Sequence, residues 1–186
     1  MNRIFALAFS AALLTASNGL AVTIYDEDVD GDLSGDFTMP TVVTLGFGPN
    51  SVSGQMGQNG STGASNGSDG DFFRFTVPAG AEVTEIFVDE YETTENQSFL
   101  GYRGSPFTSL GSTGAIDGFE LFSDGPANII GALTGLPALG PGDHFFWVQE
   151  TSPVTVDYTL RFTVVPEPAG LLLACLAGLG LAARRR

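Results

Sequence analysis

The stretch Val154-Thr155-Val156-Asp157-Tyr158-Thr159-Leu160-Arg161-Phe162-Thr163-Val164 decides the fold class of this 186-residue chain. Its even-numbered residues are apolar or aromatic and its odd-numbered residues are polar, without exception. A period of two predicts a β-strand with one buried face and one solvated face. An amphipathic helix is excluded, because its apolar residues would recur roughly every 3.6 positions.

Further strands are predicted upstream of this segment. An aromatic strand at His144–Glu150 precedes it, and the turn Thr151-Ser152-Pro153 between them predicts an antiparallel hairpin. Other short runs of β-forming residues lie at Thr41–Phe47, Asp71–Val77, Glu82–Tyr91, Ser98–Arg103 and Gly118–Phe122. The segment Gly48–Gly70 has almost no large apolar residue and predicts a surface loop, and one helical turn is expected around Ile129–Leu133.

These short strands, separated by the turn formers Gly, Pro, Asn, Asp and Ser, predict a single all-β domain over residues 22–164. The expected architecture is an antiparallel β-sandwich or jelly roll.

The N-terminus has the pattern of a secretory signal peptide over residues 1–21. Arg3 provides the positive charge, Ile4–Leu14 forms an apolar run, and Gly19-Leu20-Ala21 supplies small residues for cleavage by signal peptidase after Ala21. The run is shorter than the roughly 20 apolar residues of a transmembrane helix.

The C-terminal residues 165–186 have the pattern of a second targeting segment. Val165, Pro166, Glu167 and Pro168 are followed by the small apolar run Ala169–Ala183, and Arg184, Arg185 and Arg186 close the chain. A basic cluster after an apolar run predicts a short transmembrane helix inserted with the arginines on the cytoplasmic side. We expect this insertion to be transient.

The order of Pro166-Glu167-Pro168, an apolar stretch and terminal arginines resembles the PEP-CTERM sorting signal of Gram-negative bacteria. The resemblance implies that an exosortase, a membrane protease-like enzyme, recognises the motif and removes the tail. It also implies export to the periplasm, the outer surface or the extracellular matrix, and a host that makes exopolysaccharide or biofilm.

The predicted mature domain is strongly acidic. Arg3 and the terminal arginines account for four of the seven basic residues and Glu167 for one of the 21 acidic ones, which leaves three arginines against 20 acids, a net charge of −17. The negative electrostatic field of such a domain repels nucleic acid and anionic membrane surfaces and is compatible with the binding of divalent cations. The one cysteine, Cys175, lies in the tail, so the mature domain has neither a disulfide nor a thiol nucleophile.

A second resemblance supports the fold. Asp69–Gly80 (DGDFFRFTVPAG), Gly142–Val148 (GDHFFWV) and Tyr158-Thr159-Leu160 are similar to motifs of the bacterial pre-peptidase C-terminal domain. That family implies a small jelly roll that accompanies secreted enzymes and is not itself catalytic.

A candidate calcium site lies near the mature N-terminus. Asp26, Asp28 and Asp30 at alternate positions, followed by Gly31 and Asp32, resemble the opening of an EF-hand loop. The twelfth position is Phe37 instead of a bidentate glutamate, which excludes a complete EF-hand. Two interpretations stay open: an incomplete calcium loop, or a solvated strand and turn.

The sequence offers little evidence for a catalytic site. The carboxylates of Asp89-Glu90-Tyr91-Glu92 are adjacent in one strand and therefore alternate between faces, and His144 is the chain's one histidine. Alternation sends Phe145 and Trp147 to one face of their strand and Phe146 and Val148 to the other. One of these faces must be core, so we expect these aromatics mostly to pack, and sugar stacking by the other face is the alternative. We therefore expect a non-enzymatic structural or interaction protein, and the resemblance to the sorting signal implies a link to extracellular polysaccharide. The alternative is a calcium-dependent carbohydrate-binding module.

Overall fold

The alternating segment forms the strand β9, Thr155–Pro166, as predicted. The computed structural model describes residues 20–57, 69–94, 96–110, 115–123, 125, 127–150 and 154–167. Along β9 the even-numbered side chains are buried in the core, from Val156 to Val164. The period of two in the sequence therefore corresponds to the buried and solvated faces of this strand.

Eight further strands and two short helices precede β9. In chain order they are β1 Val22–Asp26, α1 Glu27–Asp30, β2 Thr41–Val42, β3 Gly48–Gly57, β4 Gly70–Val77, β5 Ala81–Glu92, β6 Ser98–Arg103, β7 Gly118–Phe122, α2 Ile130–Thr134 and β8 Gly142–Gln149. They form a four-stranded sheet in the order β1-β3-β9-β5 and a five-stranded sheet in the order β2-β4-β8-β6-β7.

Aromatic rings from both sheets meet in one core. Phe73 of β4 stacks on Phe146 of β8 at 5.2 Å between ring centroids, and Phe162 of β9 packs edge-on against both. All three side chains are fully buried. The core therefore lies between the inward faces of the two sheets, and burial of these large rings stabilises it.

The sheets are mixed, which corrects the prediction of purely antiparallel pairing. β1 pairs with β3 and β2 pairs with β4 in parallel, while the other pairs are antiparallel. Both parallel strands are short and lie at a sheet edge. The chain between β1 and β3 is long enough to return to the same end of the sheet, as a parallel connection requires.

The predicted hairpin of β8 with β9 is wrong. β8 pairs with β4 and β6 in one sheet, whereas β9 pairs with β3 and β5 in the other. The two strands place their apolar faces against each other across the core, as the contact between Phe146 and Phe162 shows. The chain therefore crosses from one sheet to the other between Gln149 and Thr155.

The predicted surface loop at Gly48–Gly70 is also wrong in its first half, because Gly48–Gly57 forms β3 between β1 and β9. Small residues are required there: a Cβ at Gly54 would lie 2.7 Å from the Tyr158 hydroxyl. In contrast, the strand predicted at Thr41–Phe47 is limited to Thr41–Val42. The strands predicted at Asp71–Val77, Glu82–Tyr91, Ser98–Arg103 and Gly118–Phe122 are confirmed.

The helices of the described residues are single turns. α2 confirms the helical turn expected around Ile129–Leu133, and α1 was not predicted. Neither helix is long or apolar enough to cross a membrane. The predicted signal peptide up to residue 19 and the predicted tail helix from residue 168 lie outside the described residues.

Candidate functional site

Four carboxylates from different parts of the chain come close together at the end of the molecule where β9 begins. They belong to Glu27 of α1, Asp32 after it, Asp69 before β4 and Asp71 of β4. Asp71 lies on the inward face of β4, the face that carries Phe73 and Phe75 further along, and it is fully buried. We call these four residues the carboxylate cluster.

Glu27 attaches the N-terminal segment to the four-stranded sheet. Its Oε1 accepts a 2.7 Å hydrogen bond from the Leu33 amide, and its Oε2 accepts one of 2.7 Å from the Gln55 amide in β3. Burial raises the pKa of Glu27 to about 7, although both backbone bonds favour the ionised form. Asp32 and Asp69 raise this pKa further through their negative charges.

Asp71 is held by Tyr158. The Tyr158 hydroxyl donates a 2.6 Å hydrogen bond to Asp71 Oδ2, and both side chains are buried. Burial raises the pKa of Asp71 well above its ordinary value, and the nearby charge of Glu27 raises it further. The pKa of Tyr158 is also raised, first by burial and then by Asp71.

Within the cluster, the buried Oδ1 atoms of Asp71 and Asp32 form no hydrogen bond to the described residues. A buried acceptor without a donor is unfavourable by about 1–3 kcal/mol. Protons or a cation would relieve both this deficit and the mutual repulsion of the carboxylates. Hard oxygen ligands of this kind suit Ca²⁺ or Mg²⁺. However, in the described part of the chain no three such side chains are already arranged to hold a metal ion.

The residues predicted for calcium are mostly elsewhere. Asp26 caps α1 by accepting a 3.1 Å hydrogen bond from the Asp28 amide, and Asp30 Oδ2 accepts one of 3.0 Å from the Asp26 amide. These three aspartates therefore form a solvated helical turn at the surface, and only Asp32 belongs to the carboxylate cluster. Glu27, Asp69 and Asp71 were missed as site residues. One signal could have found Asp71: it occupies an inward position of a strand whose other inward residues are apolar.

An acidic groove of about 380 Å³ opens beside the cluster. Glu27 and Tyr158 contribute to its wall, together with Asp26, Asp28, Ser53, Gly54, Gln55, Glu90, Glu92 and Asp157. The groove thus brings together acids from α1, β5 and β9. Its charge favours cations and disfavours anionic ligands.

The tail motif begins inside the four-stranded sheet, at the opposite end of β9. Val165 pairs with Glu82 and Pro166 with Ala81, and the Glu167 amide donates a 2.8 Å hydrogen bond to the Gly80 carbonyl. Pro168 and the terminal arginines lie outside the described residues.

Residues 164–186 match the family described as the PEP-CTERM protein-sorting motif. The chain therefore carries a PEP-CTERM sorting signal, and its class is that of exosortase-targeted exported proteins. Such a signal implies export across the inner membrane to the cell surface or beyond it, and processing by an exosortase-type enzyme. No curated protein and no solved structure is significantly similar to the chain.

Proposed function

We propose that this protein is a non-catalytic component of the cell surface or extracellular matrix, delivered by signal peptidase and an exosortase and linked to exopolysaccharide or biofilm. The observation that carries the proposal is the sorting motif at 164–186, which continues directly from the last strand of the domain. The two sheets around one aromatic core support a β-sandwich or jelly-roll architecture for that domain. We include in this proposal that the domain is related to the bacterial pre-peptidase C-terminal domain.

The described side chains support a non-enzymatic role. Both ring nitrogens of His144 are engaged, Nδ1 with the Tyr102 hydroxyl at 2.9 Å and Nε2 with the Gly140 carbonyl at 2.8 Å. Asp89 is paired with Arg161 at 2.7 Å, and the adjacent Glu90 accepts a hydrogen bond from Thr159. These contacts give His144, Asp89 and Glu90 roles in holding the fold together.

Mass spectrometry of the protein secreted by its host tests delivery. We expect a new N-terminus after Ala21 and loss of the terminal arginines, and we expect replacement of Arg184, Arg185 and Arg186 by serine to reduce processing. A matched variant is Arg74→Ser, which changes an arginine of the domain whose guanidinium lies 3.8 Å from Asp143 near the surface. Full-length protein outside the cell, with all three terminal arginines intact, would contradict the proposal.

A second candidate, a calcium-dependent module that binds the cell's own polysaccharide, is favoured by one observation: the buried Asp71 Oδ1 lacks a donor within a cluster of four carboxylates. The donor set fits calcium in its chemistry, but the side chains would have to rotate to converge on one ion. Bound calcium would replace the protons that the raised pKa values favour.

Thermal unfolding of the full-length chain with calcium or with chelator tests this candidate. We expect calcium to raise Tm by several degrees, because an ion that binds only the folded state stabilises it. Asp71→Asn keeps the acceptor for Tyr158 but removes the cost of burying a carboxyl group that is ionised in the unfolded chain, so it should raise Tm in chelator and abolish the calcium response. Asp143→Asn, an exposed acid outside the cluster, should retain that response. An unchanged Tm in calcium would exclude this second candidate and leave the delivery proposal intact.

A further inference from the structure

The outward face of the five-stranded sheet carries three aromatic rings in a continuous row, which we call the aromatic ribbon: Trp147 of β8, Phe99 of β6 and Phe119 of β7. The register of the sheet explains the row, because Gly101 lies opposite Trp147 on one side and opposite Phe119 on the other. Gly101 leaves space between the two outer rings.

The ring of Phe99 fills that space. A Cβ at Gly101 would lie 2.9 Å from Phe99 Cε1 and 3.6 Å from Trp147 Cε3, so both rings extend over the glycine. The Phe99 centroid is 4.8 Å from that of Trp147 and 5.9 Å from that of Phe119, with Phe99 and Phe119 inclined by only 20°. The three rings therefore form one contiguous apolar surface.

Part of this surface is open to solvent. Phe119 is 52% exposed and the adjacent Leu121 is 47% exposed, while Phe99 and Trp147 are partly buried. Further along the same face, Phe72, Phe107 and Phe145 form a small buried cluster on which Trp147 packs. The aromatic ribbon is thus the uncovered continuation of a packed aromatic face.

The size of the ribbon argues against a second copy of the chain as its occupant. A large aromatic side chain can bury about 150–250 Å², so these half-covered residues offer on the order of a few hundred Å². A standard protein–protein interface needs about 800 Å² on each partner. The area suits a small flat ligand better than a stable dimer.

Charge selects the class of ligand. The predicted mature domain carries a net charge of −17, which repels polyanions, whereas the rings of the ribbon are neutral. A neutral sugar ring has C–H groups on its flat face, which stack on the electron-rich face of an aromatic ring. Its hydroxyl groups lie at the rim and need polar partners.

Such partners lie at one end of the ribbon. A Cβ at Gly70 would be 3.4 Å from Trp147 Nε1 and 3.7 Å from Gln149 Cγ, so the indole N–H and the Gln149 side chain are neighbours above this glycine. Neither side chain forms a hydrogen bond to another residue in the part of the chain that the structure describes. Both are partly exposed and can bind sugar hydroxyls.

We propose that the aromatic ribbon of Trp147, Phe99 and Phe119 is a binding site for a neutral polysaccharide strand, with sugar rings stacked on the side chains and hydroxyl groups bound by Trp147 Nε1 and Gln149. This inference rests on the proposed delivery of the domain outside the cell. It is independent of the carboxylate cluster, which lies among the inward and N-terminal side chains and not on this face.

The chain has one tryptophan, so Trp147 fluorescence reports directly on the ribbon. We expect cellohexaose or laminarihexaose to shift the emission of the full-length chain, and the matching insoluble glucan to retain the protein, with and without chelator. Phe119→Ala should weaken binding by about tenfold, as expected for the loss of one stacked ring. Phe119→Tyr should keep it. Phe47→Ala, which removes an exposed phenylalanine outside the ribbon, should bind like the unmodified chain.

The proposal is overturned by the absence of both a shift and retention with either glucan, and equally by unchanged binding in Phe119→Ala. Binding of the polyanion polygalacturonate and of neither glucan would exclude neutral polysaccharides as the ligand. If sedimentation shows a dimer that is lost in Phe119→Ala, the ribbon is a self-association surface. Circular dichroism establishes that each variant is folded. Failure of glucan binding in a chain that is still correctly processed would leave the proposed delivery intact.

Discussion

The Tyr158 hydroxyl donates a 2.6 Å hydrogen bond to Asp71 Oδ2 and thereby links β9 of one sheet to β4 of the other through the buried core. Both side chains are almost completely inaccessible to water. Removing the hydroxyl in Tyr158→Phe would leave Asp71 without this donor. Because an unsatisfied buried polar group is unfavourable, we expect the free energy of unfolding to fall by about 1–3 kcal/mol. Urea denaturation of the full-length chain measures this change.

Tyr25→Phe is the matched control, since the Tyr25 hydroxyl donates a 2.8 Å hydrogen bond to the Gly31 carbonyl near the surface. Its loss should lower the free energy of unfolding by no more than about 1 kcal/mol. Equal effects of the two substitutions would show that the link between the sheets adds no more stability than a surface hydrogen bond.

Alternation in the sequence predicts which face of a strand is buried, but not which strands are neighbours. The inward residues of β9 were therefore predicted correctly, because this strand carries the pattern within itself. The hairpin of β8 with β9 was not, because sequence proximity favours pairing of consecutive strands while the core places these two strands face to face. β3 was missed since its apolar content is low and its pairing with β9 depends on residues far along the chain.

The same limit applies to the candidate site. The aspartates at 26, 28 and 30 have a ligand-like spacing in the sequence, yet a single helical turn places them at the surface. The carboxylate cluster combines Glu27 with Asp69 and Asp71, which are some forty residues away along the chain. Only the approach of the N-terminal segment to β3 and β4 brings them together, and no local spacing contains that information.

His144 makes the stability of the domain depend on pH. Its Nε2 faces the Gly140 carbonyl, which can only accept, so Nε2 carries the proton and Nδ1 accepts a hydrogen bond from the Tyr102 hydroxyl. Burial lowers the pKa of His144, against opposing effects of the Gly140 bond and the charge of Asp143. The folded pKa is below the unfolded one, so the unfolded state binds more protons in acid. The free energy of unfolding contributed by His144 is therefore present above about pH 6.5 and is lost as the pH falls below it.

Urea denaturation of the unmodified chain and of His144→Gln at several pH values measures this contribution. Glu27 and Asp71 titrate in the opposite sense, but both proteins retain them, so their effect cancels in the difference between the two. We expect the difference in free energy of unfolding to shrink as the pH is lowered from about 7.5 to about 5.5. A difference that stays constant over this range would contradict the assignment.

Gly118 allows α2 to dock against β7. A Cβ at this position would collide with the Leu133 carbonyl oxygen in α2, and that backbone cannot move without displacing the buried Leu133 side chain. We expect Gly118→Ala to lower the free energy of unfolding by about 1–3 kcal/mol. Gly35→Ala is the control, because no atom lies within 4 Å of its Cβ position, and its effect should stay within about 0.5 kcal/mol. If chemical denaturation gives the same free energy of unfolding for both variants, α2 can shift to accommodate the added methyl group without loss of stability.

Because the start of the sorting motif is paired within the four-stranded sheet, we expect it to leave the sheet before it is processed. Val165 and Pro166 still pair with β5, and the Glu167 amide is bound to the Gly80 carbonyl, so an enzyme that acts on this segment competes with the folded domain for its backbone. Opening the end of a strand requires little free energy compared with global unfolding, but each lost hydrogen bond is worth about 0.5–1.5 kcal/mol. We therefore expect a Gly-Ser-Gly insertion between Val164 and Val165 to speed conversion of precursor to processed protein, as measured by pulse-chase labelling in the host. The same insertion between Gly35 and Asp36 should leave the rate unchanged. Slower conversion of the first variant would mean that the enzyme recognises the motif while the strand still holds it.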